Sequence, residues 1–319
     1  MSARVAAVVY NPVKVDLEAL KLVVEADPAS ADWTVNWIET SVDDPGQDIT
    51  REAIEAGASV IVAAGGDGTV RAVAESVRGT DAALALLPSG TGNLLARNVD
   101  LALDDAAQSF STAFTGVDRA IDIVDIEIRR EDRSVEKHAF LVMAGAGLDA
   151  RIMSNTDDEL KKKVGWLAYA QALGVVLRDK HGLRLDYKID SRRNQSARAQ
   201  AIIVGNCGSL PANILLLPDA LVDDGLLDVA VLKPESIGGW FAMIFKIFWE
   251  NGVVRRTAFG RRLRELHTDS VHFKQAKTLV ARFSQPEEIQ LDGDPFGDAI
   301  GFRVTVDGGG LTIKVPAPS

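Results

Sequence analysis

The first third of the chain alternates short apolar runs with stretches of helical periodicity, and this alternation constrains the fold most. Strand-like runs lie at Val5–Tyr10, Trp33–Glu39, Val60–Ala64 and Leu84–Leu87. Strands that alternate with helices pair in parallel, and the helices cover both faces of the sheet. The pattern therefore predicts an α/β domain with an open parallel sheet. Its predicted helices are Leu17–Glu25, Ile49–Ala56, Val70–Val77 and Leu94–Asn98.

From about Ile121 the pattern changes to strands separated by turn residues, which predicts a second, largely antiparallel β domain. We place the two domains at residues 1–124 and 125–319, with the last strands free to pack back toward the first domain. Asp307-Gly308-Gly309-Gly310 is typical of a hairpin turn between the last two strands. Helical patterns interrupt this region at 157–177 and 236–251. The predicted strands are Leu183–Ile189, Ala199–Val204, Leu226–Leu232, Thr278–Phe283, Phe302–Val306 and Leu311–Val315.

Charge and cysteine content narrow the classes of function. With 35 Lys and Arg against 45 Asp and Glu, the net charge is −10, which argues against nucleic-acid binding through a basic surface. The single Cys207 cannot form an internal disulfide or a Cys-based metal cluster. The apolar stretch Ile237–Trp249 is shorter than the ~20 residues of a spanning helix. We expect a cytoplasmic chain, with peripheral contact to the inner face of the cell membrane left open.

A glycine-rich loop follows the third predicted strand and opens the third helix. Its sequence is Gly65-Gly66-Asp67-Gly68-Thr69. Glycines let the backbone approach a ligand closely, and the amides of the first helical turn attract anions. Asp67 would repel phosphates unless it serves a metal or its water. The alternative is a tight turn in which Asp67 caps a helix.

A second glycine loop, Pro88-Ser89-Gly90-Thr91-Gly92-Asn93, follows the fourth strand, and Asn11 follows the first. The carboxyl ends of parallel strands meet at one edge of an open sheet, where such sheets bind ligands. Thr91 and Asn93 can bond phosphate or ribose oxygens, although caps and turns use the same residue types. The two loops together favour a nucleotide site. The pattern of P-loop enzymes is absent from the sequence.

These two loops resemble the catalytic domain of diacylglycerol kinases, found in bacterial lipid kinases and related to sphingosine, ceramide and, distantly, NAD kinases. The resemblance extends along nearly the whole chain. Later matches are Gly147–Ala150, Pro218–Asp228 and Leu291–Asp294. It implies a two-domain fold with ATP in the cleft, and phosphoryl transfer from ATP to a lipid hydroxyl.

The resemblance also implies how ATP and Mg²⁺ are held. Asp67 would hold the magnesium that accompanies ATP, directly or through water. A loose phosphoryl-transfer transition state needs positioning and charge neutralisation, which such an arrangement supplies. The nucleotide-binding residues that it implies are Asn11, Thr40, Gly65, Gly66, Asp67, Gly68, Thr69, Ser89, Gly90, Thr91 and Asn93.

A second, structural Mg²⁺ site is implied in the loop 221–226. By resemblance, Asp224 supplies a carboxylate, while Leu221 and Leu226 supply carbonyl oxygens. Oxygen ligands suit a hard cation. The alternative is an ordinary Asp-Gly turn before the strand Leu226–Leu232.

The base that deprotonates the lipid hydroxyl is implied in Asp292-Gly293-Asp294, where the family usually has Asp-Gly-Glu. We take Asp292 as the preferred base, with Asp294 assisting through the network of metal and water. Replacing Glu by Asp at 294 shortens the reach by roughly 1 to 1.5 Å. The division of labour between the two carboxylates therefore stays open.

A further departure leaves alternatives to a lipid kinase. Many relatives have Asn-Glu where Arg71 and Ala72 follow Thr69-Val70. One alternative is a non-catalytic nucleotide-binding or regulatory protein. Another is a soluble-substrate kinase of the NAD-kinase type, which the aromatic segment 237–249 and the Asp292 motif disfavour.

Two stretches combine aromatic and basic residues as an interfacial surface does: Lys161–Tyr169, and Trp240–Trp249 with the arginines that follow it. The alternative is that both pack on the β domain with their basic residues solvated. The expected partner is a lipid substrate at a membrane surface, with no nucleic acid. The sequence does not name the lipid, and a homodimer is compatible with it.

Overall fold

The computed structural model describes residues 4–147, 182–210, 214–233 and 271–317. The predicted helices at 157–177 and 236–251, and both predicted membrane-contact stretches, lie outside these ranges. No helix in the described part of the chain is long and apolar enough to cross a membrane.

The chain divides into two compact units. Unit 1 contains Met1–Ile123, Val222–Gly225 and Asp307–Ser319, and unit 2 contains Val124–Leu221 and Leu226–Val306. Each unit is therefore built from segments that are distant in the sequence.

Unit 1 is the α/β domain that the alternating pattern predicts. Its strands pair in parallel in the order β2-β1-β3-β4, and the end of the last strand, β16, pairs in parallel with β4 through Ile313 and Leu84. The elements are β1 (Arg4–Tyr10), α1 (Leu17–Ala26), a 3-10 turn (Pro28–Ser30), β2 (Trp33–Glu39), α2 (Gln47–Glu55), β3 (Val60–Gly65), α3 (Asp67–Val77), β4 (Ala83–Pro88), α4 (Leu94–Asn98), α5 (Ala106–Thr115) and the start of β5 (Val117–Arg129).

Burial explains the order of these strands. Every residue of β3 is buried, as expected for a central strand covered on both faces, whereas β2 contains no buried residue and lies at an edge. On one face, Phe110 and Phe114 of α5 pack near Trp33 and Trp37, with ring centroids 5.5 to 6.1 Å apart. This packing fixes the sheet whose edge carries the glycine loops.

Unit 2 is antiparallel, as the change of pattern predicts. Its main sheet has the order β14-β13-β10-β7-β15-β16, while β8 pairs with the first half of β15 and with β9. The elements are the rest of β5, then β6 (Val135–Phe140), β7 (Met143–Gly147), β8 (Leu183–Ile189), β9 (Gln195–Ala199), β10 (Ala201–Gly205), β11 (Ser209–Leu210), β12 (Ile214–Leu215), β13 (Leu227–Leu232), β14 (Val271–Ala276), β15 (Thr278–Leu291) and β16 (Asp294–Val315) as far as Val306.

The predicted hairpin at 307–310 is wrong, because β16 runs through these residues without turning back. The two halves of β16 have different partners, β15 before Val306 and β4 after it. The glycines are used differently: Gly309 has a φ of +69° and donates its amide to the Asp122 carboxylate at 2.8 Å. Asp307 forms an ion pair with Arg78 at 2.8 Å. The chain passes from unit 2 into unit 1 at this glycine run.

The predicted strand Ala199–Val204 is also corrected, because it belongs to two strands. β9 ends at Ala199 and β10 begins at Ala201. Between them, the amide of Gln200 donates to the carbonyl of Leu232 at 2.7 Å. An apolar run gives no signal for such a change of partner.

Candidate active site

The two glycine loops of unit 1 lie against each other. A Cβ atom on Gly90 would lie only 2.7 Å from the Cα of Gly66, closer than real Cβ atoms come to a neighbouring backbone. The amide of Ser89 donates to the carbonyl of Gly65 at 3.0 Å, which fixes the start of the second loop. The glycines are therefore needed for the approach of one loop to the other.

Asp67 joins the two loops. It is the first residue of α3, whose N-cap Gly66 offers no side chain, but its carboxylate reaches the second loop. There Oδ1 accepts a hydrogen bond from the amide of Leu94 at 2.5 Å, and a Cβ on Gly92 would lie 2.5 Å from Oδ2. Asp67 thus accepts from the first residue of α4, and the position at the positive end of α3 stabilises its charge.

Asn93 shapes the second loop from within. Its backbone is left-handed, with φ of +47°, and its side-chain amide both accepts from the Gly90 amide and donates to the Gly90 carbonyl, each at 2.9 Å. These bonds match the turn-forming interpretation of Asn93. Ser89 Oγ donates to the Leu87 carbonyl at 3.1 Å, whereas Thr91 is exposed. Thr91 is therefore the loop residue placed to meet a ligand from solvent.

The loop after β1 lies at the same edge of the sheet. Because the strand order is β2-β1-β3-β4, the chain reverses its winding direction between β1 and β3, and open sheets bind ligands at such a point. Asn11 donates its amide to the Ala64 carbonyl at 2.9 Å. Its side-chain oxygen accepts from the Val13 amide at 3.0 Å. Asn11 therefore lies next to the strand that carries the first glycine loop.

Tyr10, the last residue of β1, lies next to Thr40, which follows β2. Thr40 is buried, and its amide donates to the Tyr10 carbonyl at 2.9 Å. Burial, and then a hydrogen bond from the hydroxyl to Glu39 at 3.0 Å, raises the pKa of Tyr10 above its ordinary value. The phenol stays a neutral donor. Thr69 is buried in α3, so its contribution to a ligand would come through its backbone.

The loop proposed to bind a structural metal is anchored by Asp122, a residue that the sequence analysis missed. Asp122 is 1% exposed, and its two carboxylate oxygens accept from the amides of Gly225 at 2.6 Å and Gly309 at 2.8 Å. Its own amide donates to the Val222 carbonyl at 2.8 Å. A single acidic residue inside the apolar run Ile121–Val124 was the available signal, because a buried carboxylate needs partners.

The loop itself offers oxygen atoms to solvent. Asp224 and Leu221 are exposed, Leu226 is half-buried, and Asp223 forms an ion pair with Arg119 at 2.7 Å. Within the described ranges, no three His, Cys, Asp or Glu side chains converge on a common point. A metal here would therefore depend on one carboxylate, main-chain carbonyls and water, a donor set that suits Mg²⁺.

Asp292 of unit 2 is buried and hydrogen-bonded to the main chain. It is 4% exposed, and its carboxylate accepts from the amides of Leu141, Val142 and Met143 at 2.8 to 3.0 Å. Its amide donates back to the Met143 carbonyl at 2.8 Å. Three main-chain donors thus engage both carboxylate oxygens of Asp292. The sequence-based preference for Asp292 as the base stays a prediction.

Asp294 has a more open position. It is half-buried at the first residue of β16, directly opposite Leu291 of β15. The left-handed residues Asp292 and Gly293, with φ of +50° and +90°, form the tight turn that presents it. Asp292 therefore positions the turn on which Asp294 is carried.

Comparisons with known proteins agree with this architecture. The family model of the diacylglycerol kinase catalytic domain matches residues 5–126, and that of the YegS C-terminal NAD kinase beta sandwich-like domain matches residues 142–313. The chain is 30% identical over 274 residues to a protein of Pseudomonas aeruginosa (strain UCBPP-PA14) named "Probable lipid kinase YegS-like", covering 85% of this chain and 81% of the relative.

Two solved structures show the same fold at lower identity. A diacylglycerol kinase from Bacillus anthracis str. Sterne superimposes with a TM-score of 0.70 at 20% identity, covering 98% of this chain and 96% of that one. Yeast NADH kinase complexed with NADH superimposes with a TM-score of 0.52 at 10% identity, covering 99% and 85%. These likenesses concern the fold alone.

Proposed function

Because the chain belongs to the YegS-like family of lipid kinases, with their diacylglycerol kinase catalytic domain, we propose that it transfers the γ-phosphate of ATP to a lipid hydroxyl. Diacylglycerol or a related lipid is the proposed acceptor. The observation that carries this proposal is the hydrogen bond from the Leu94 amide to Asp67. It joins the two glycine loops at the edge of the sheet.

Unit 1 is proposed to hold the nucleotide. The amides of the first turn of α3 lie at the positive end of the helix, where they would donate to phosphate oxygens, and the glycines of both loops let a ligand approach the backbone. Thr91 is exposed for a hydroxyl contact. Asp67 would hold Mg²⁺ through its carboxylate or through water. When bound, the ion neutralises charge on the phosphate oxygens during transfer.

Asp294 is proposed as the proton acceptor. The lipid hydroxyl gives its proton to the Asp294 carboxylate as its oxygen bonds to the γ-phosphorus of ATP. At the same time the bond from that phosphorus to the bridging oxygen of ADP breaks, and ADP leaves. Asp292, held by three main-chain amides, keeps the turn in place and takes no proton.

Packing accounts for the departure at Ala72. Ala72 is buried in α3, and a Cβ on Gly46, before α2, would lie 3.4 Å from its Cβ. Arg71 beside it is half-buried. A small apolar residue thus fits the contact between α2 and α3.

Incubation of the protein with labelled ATP, Mg²⁺ and mixed micelles containing diacylglycerol or other lipid alcohols tests the proposal. We expect label in the lipid fraction. Transfer to NAD alone would favour the soluble-substrate alternative. Nucleotide binding without transfer to any lipid would favour a non-catalytic member of the fold.

A further inference from the structure

One outer face of the unit 2 sheet is strongly basic. On β8, every second residue is buried in the core and the residues between are exposed. Cross-strand pairing brings Arg198 opposite Arg184, and Arg282 opposite Asp186. Val280 lies between Lys188 and Arg303 in the next row. The exposed cations of this surface, here called the basic face, are Arg184, Lys188, Arg198, Arg282 and Arg303.

Four of the five cations of the basic face keep an unpaired charge in the part of the chain that the structure describes. Asp186 lies among these cations, and an oxygen of Asp186 accepts from the hydroxyl of Ser196 at 2.5 Å. Within the described part of the chain, no ion pair is formed by Arg184, Lys188, Arg282 or Arg303. Like charges opposite each other in a sheet destabilise it. In a chain of net charge −10, such a concentration indicates an anionic partner.

The shape of the basic face selects the kind of partner. Its cations occupy four adjacent strands, which places them across about 14 Å of sheet at the usual strand spacing. A groove of about 450 Å³ lies among Arg184, Arg198 and Arg282. Of the aromatic residues of these four strands, Tyr187, Phe283 and Phe302 are buried, and Phe296 is half-buried against the ring of His138. The face offers no fully exposed ring on which a base could stack and no helix that could enter the major groove of DNA. It is therefore poorly suited to nucleic acid.

We propose that the basic face docks on the surface of a bilayer that contains anionic phospholipid. An array of cations spread over four strands matches a surface of phosphate headgroups, and each Lys or Arg near such a surface strengthens binding. The inference rests on the proposed lipid acceptor, which places the enzyme at a membrane. It adds the surface of this chain that faces the headgroups.

Sedimentation of the full chain with vesicles tests this proposal. We compare phosphatidylcholine vesicles with vesicles that also contain phosphatidylglycerol, at low and high salt. Wild-type protein is expected to bind only the anionic vesicles, and to be released at high salt. The variant R184Q/R282Q/R303Q should bind roughly a hundred-fold more weakly, since each cation contributes about a five-fold factor.

The matched control is R129Q/R133Q/K137Q, which removes three exposed cations of unit 2 outside the basic face. It should bind anionic vesicles as the wild type does. Equal binding by the two triple variants, equal binding to neutral vesicles, or stronger binding to duplex DNA with the same dependence on Arg184, Arg282 and Arg303 would overturn the proposal. Should the triple variant fail to fold, R184Q, R282Q and R303Q are tested singly for several-fold losses.

Phosphoryl transfer to a lipid in uncharged detergent micelles is measured in parallel. The variant R184Q/R282Q/R303Q should keep the wild-type rate there, because its residues take no part in the proposed chemistry. Absence of transfer by every protein would count against the proposed kinase function, while the vesicle measurement would still decide the role of the basic face.

Discussion

Asp67 in unit 1 and Asp292 in unit 2 are both Asp residues beside glycine, and both accept main-chain hydrogen bonds, yet their surroundings differ. Asp67 is half-buried and connects two loops at the open edge of a sheet. Asp292 is 4% exposed and is enclosed by the amides of three consecutive residues. The first is the one proposed to meet Mg²⁺, whereas the second is enclosed by the main chain. The two carboxylates thus differ in solvent exposure and in the number of main-chain amides that donate to them, although the residue type is the same.

The largest effect is expected from Asp294→Asn, which removes the proposed proton acceptor and keeps the size of the side chain. Loss of a general base costs typically 10²- to 10⁴-fold in turnover. ATP binding and the melting temperature should stay as in the wild type. Asp294→Glu keeps the carboxylate and serves as the control, with activity retained. Full activity of Asp294→Asn in the lipid transfer assay would remove Asp294 from the mechanism.

A loss on the order of 100-fold or more is expected for Asp67→Asn, because a preorganised charge near the phosphates is removed. The asparagine oxygen can still accept from the Leu94 amide, so the two loops should stay joined. Asp67→Ala loses both the charge and the bridge, and should in addition lower the melting temperature. If Asp67→Asn turns over like the wild type, the charge has no catalytic role and only the bridge remains.

Asp292→Ala should lower the stability of the fold more directly than the rate of phosphoryl transfer. It leaves the amides of Leu141, Val142 and Met143 without their acceptor, and each unsatisfied buried donor costs about 1–3 kcal/mol. We therefore expect the free energy of unfolding, measured with denaturant, to fall by at least about 3 kcal/mol. A variant of wild-type stability with no turnover would instead restore Asp292 as the base.

The smallest effect is expected at the loop anchored by Asp122. If Mg²⁺ binds there without nucleotide, a chelator should lower the melting temperature of the wild type, by about 2–4 °C for each kcal/mol of binding stabilisation. Asp224→Ala should abolish this response. Asp122→Asn should weaken it, since the carboxylate that holds Gly225 loses its charge. A chelator response that persists unchanged in Asp224→Ala would place the metal elsewhere.

Local patterns predicted the elements of unit 1 well. The apolar run at 60–64 and the glycines after it predicted both β3 and the turn into α3, because burial and backbone freedom are properties of adjacent residues. The roles of Asp292 and Asp122 could not be predicted in this way. Asp292 meets amides about 150 residues earlier in the chain, and Asp122 meets an amide 187 residues later. Only the folded chain brings these groups together.

The glycine run at 307–310 failed as a prediction for a related reason. Its residues are typical of a tight turn, but their conformation is set by distant partners, the carboxylate of Asp122 and the guanidinium of Arg78. A pattern of turn residues indicates which backbone conformations are allowed. It does not report which strand lies beside it.

The pairing of Ile313 with Leu84 has a consequence for the order of folding. During synthesis, the outer edge of β4 has no partner until residues 307–315 have left the ribosome. An unpaired strand edge invites association with other chains. Unit 1 is thus complete only after residues 307–315 have been made, so newly made chains are expected to be most prone to aggregation before that point.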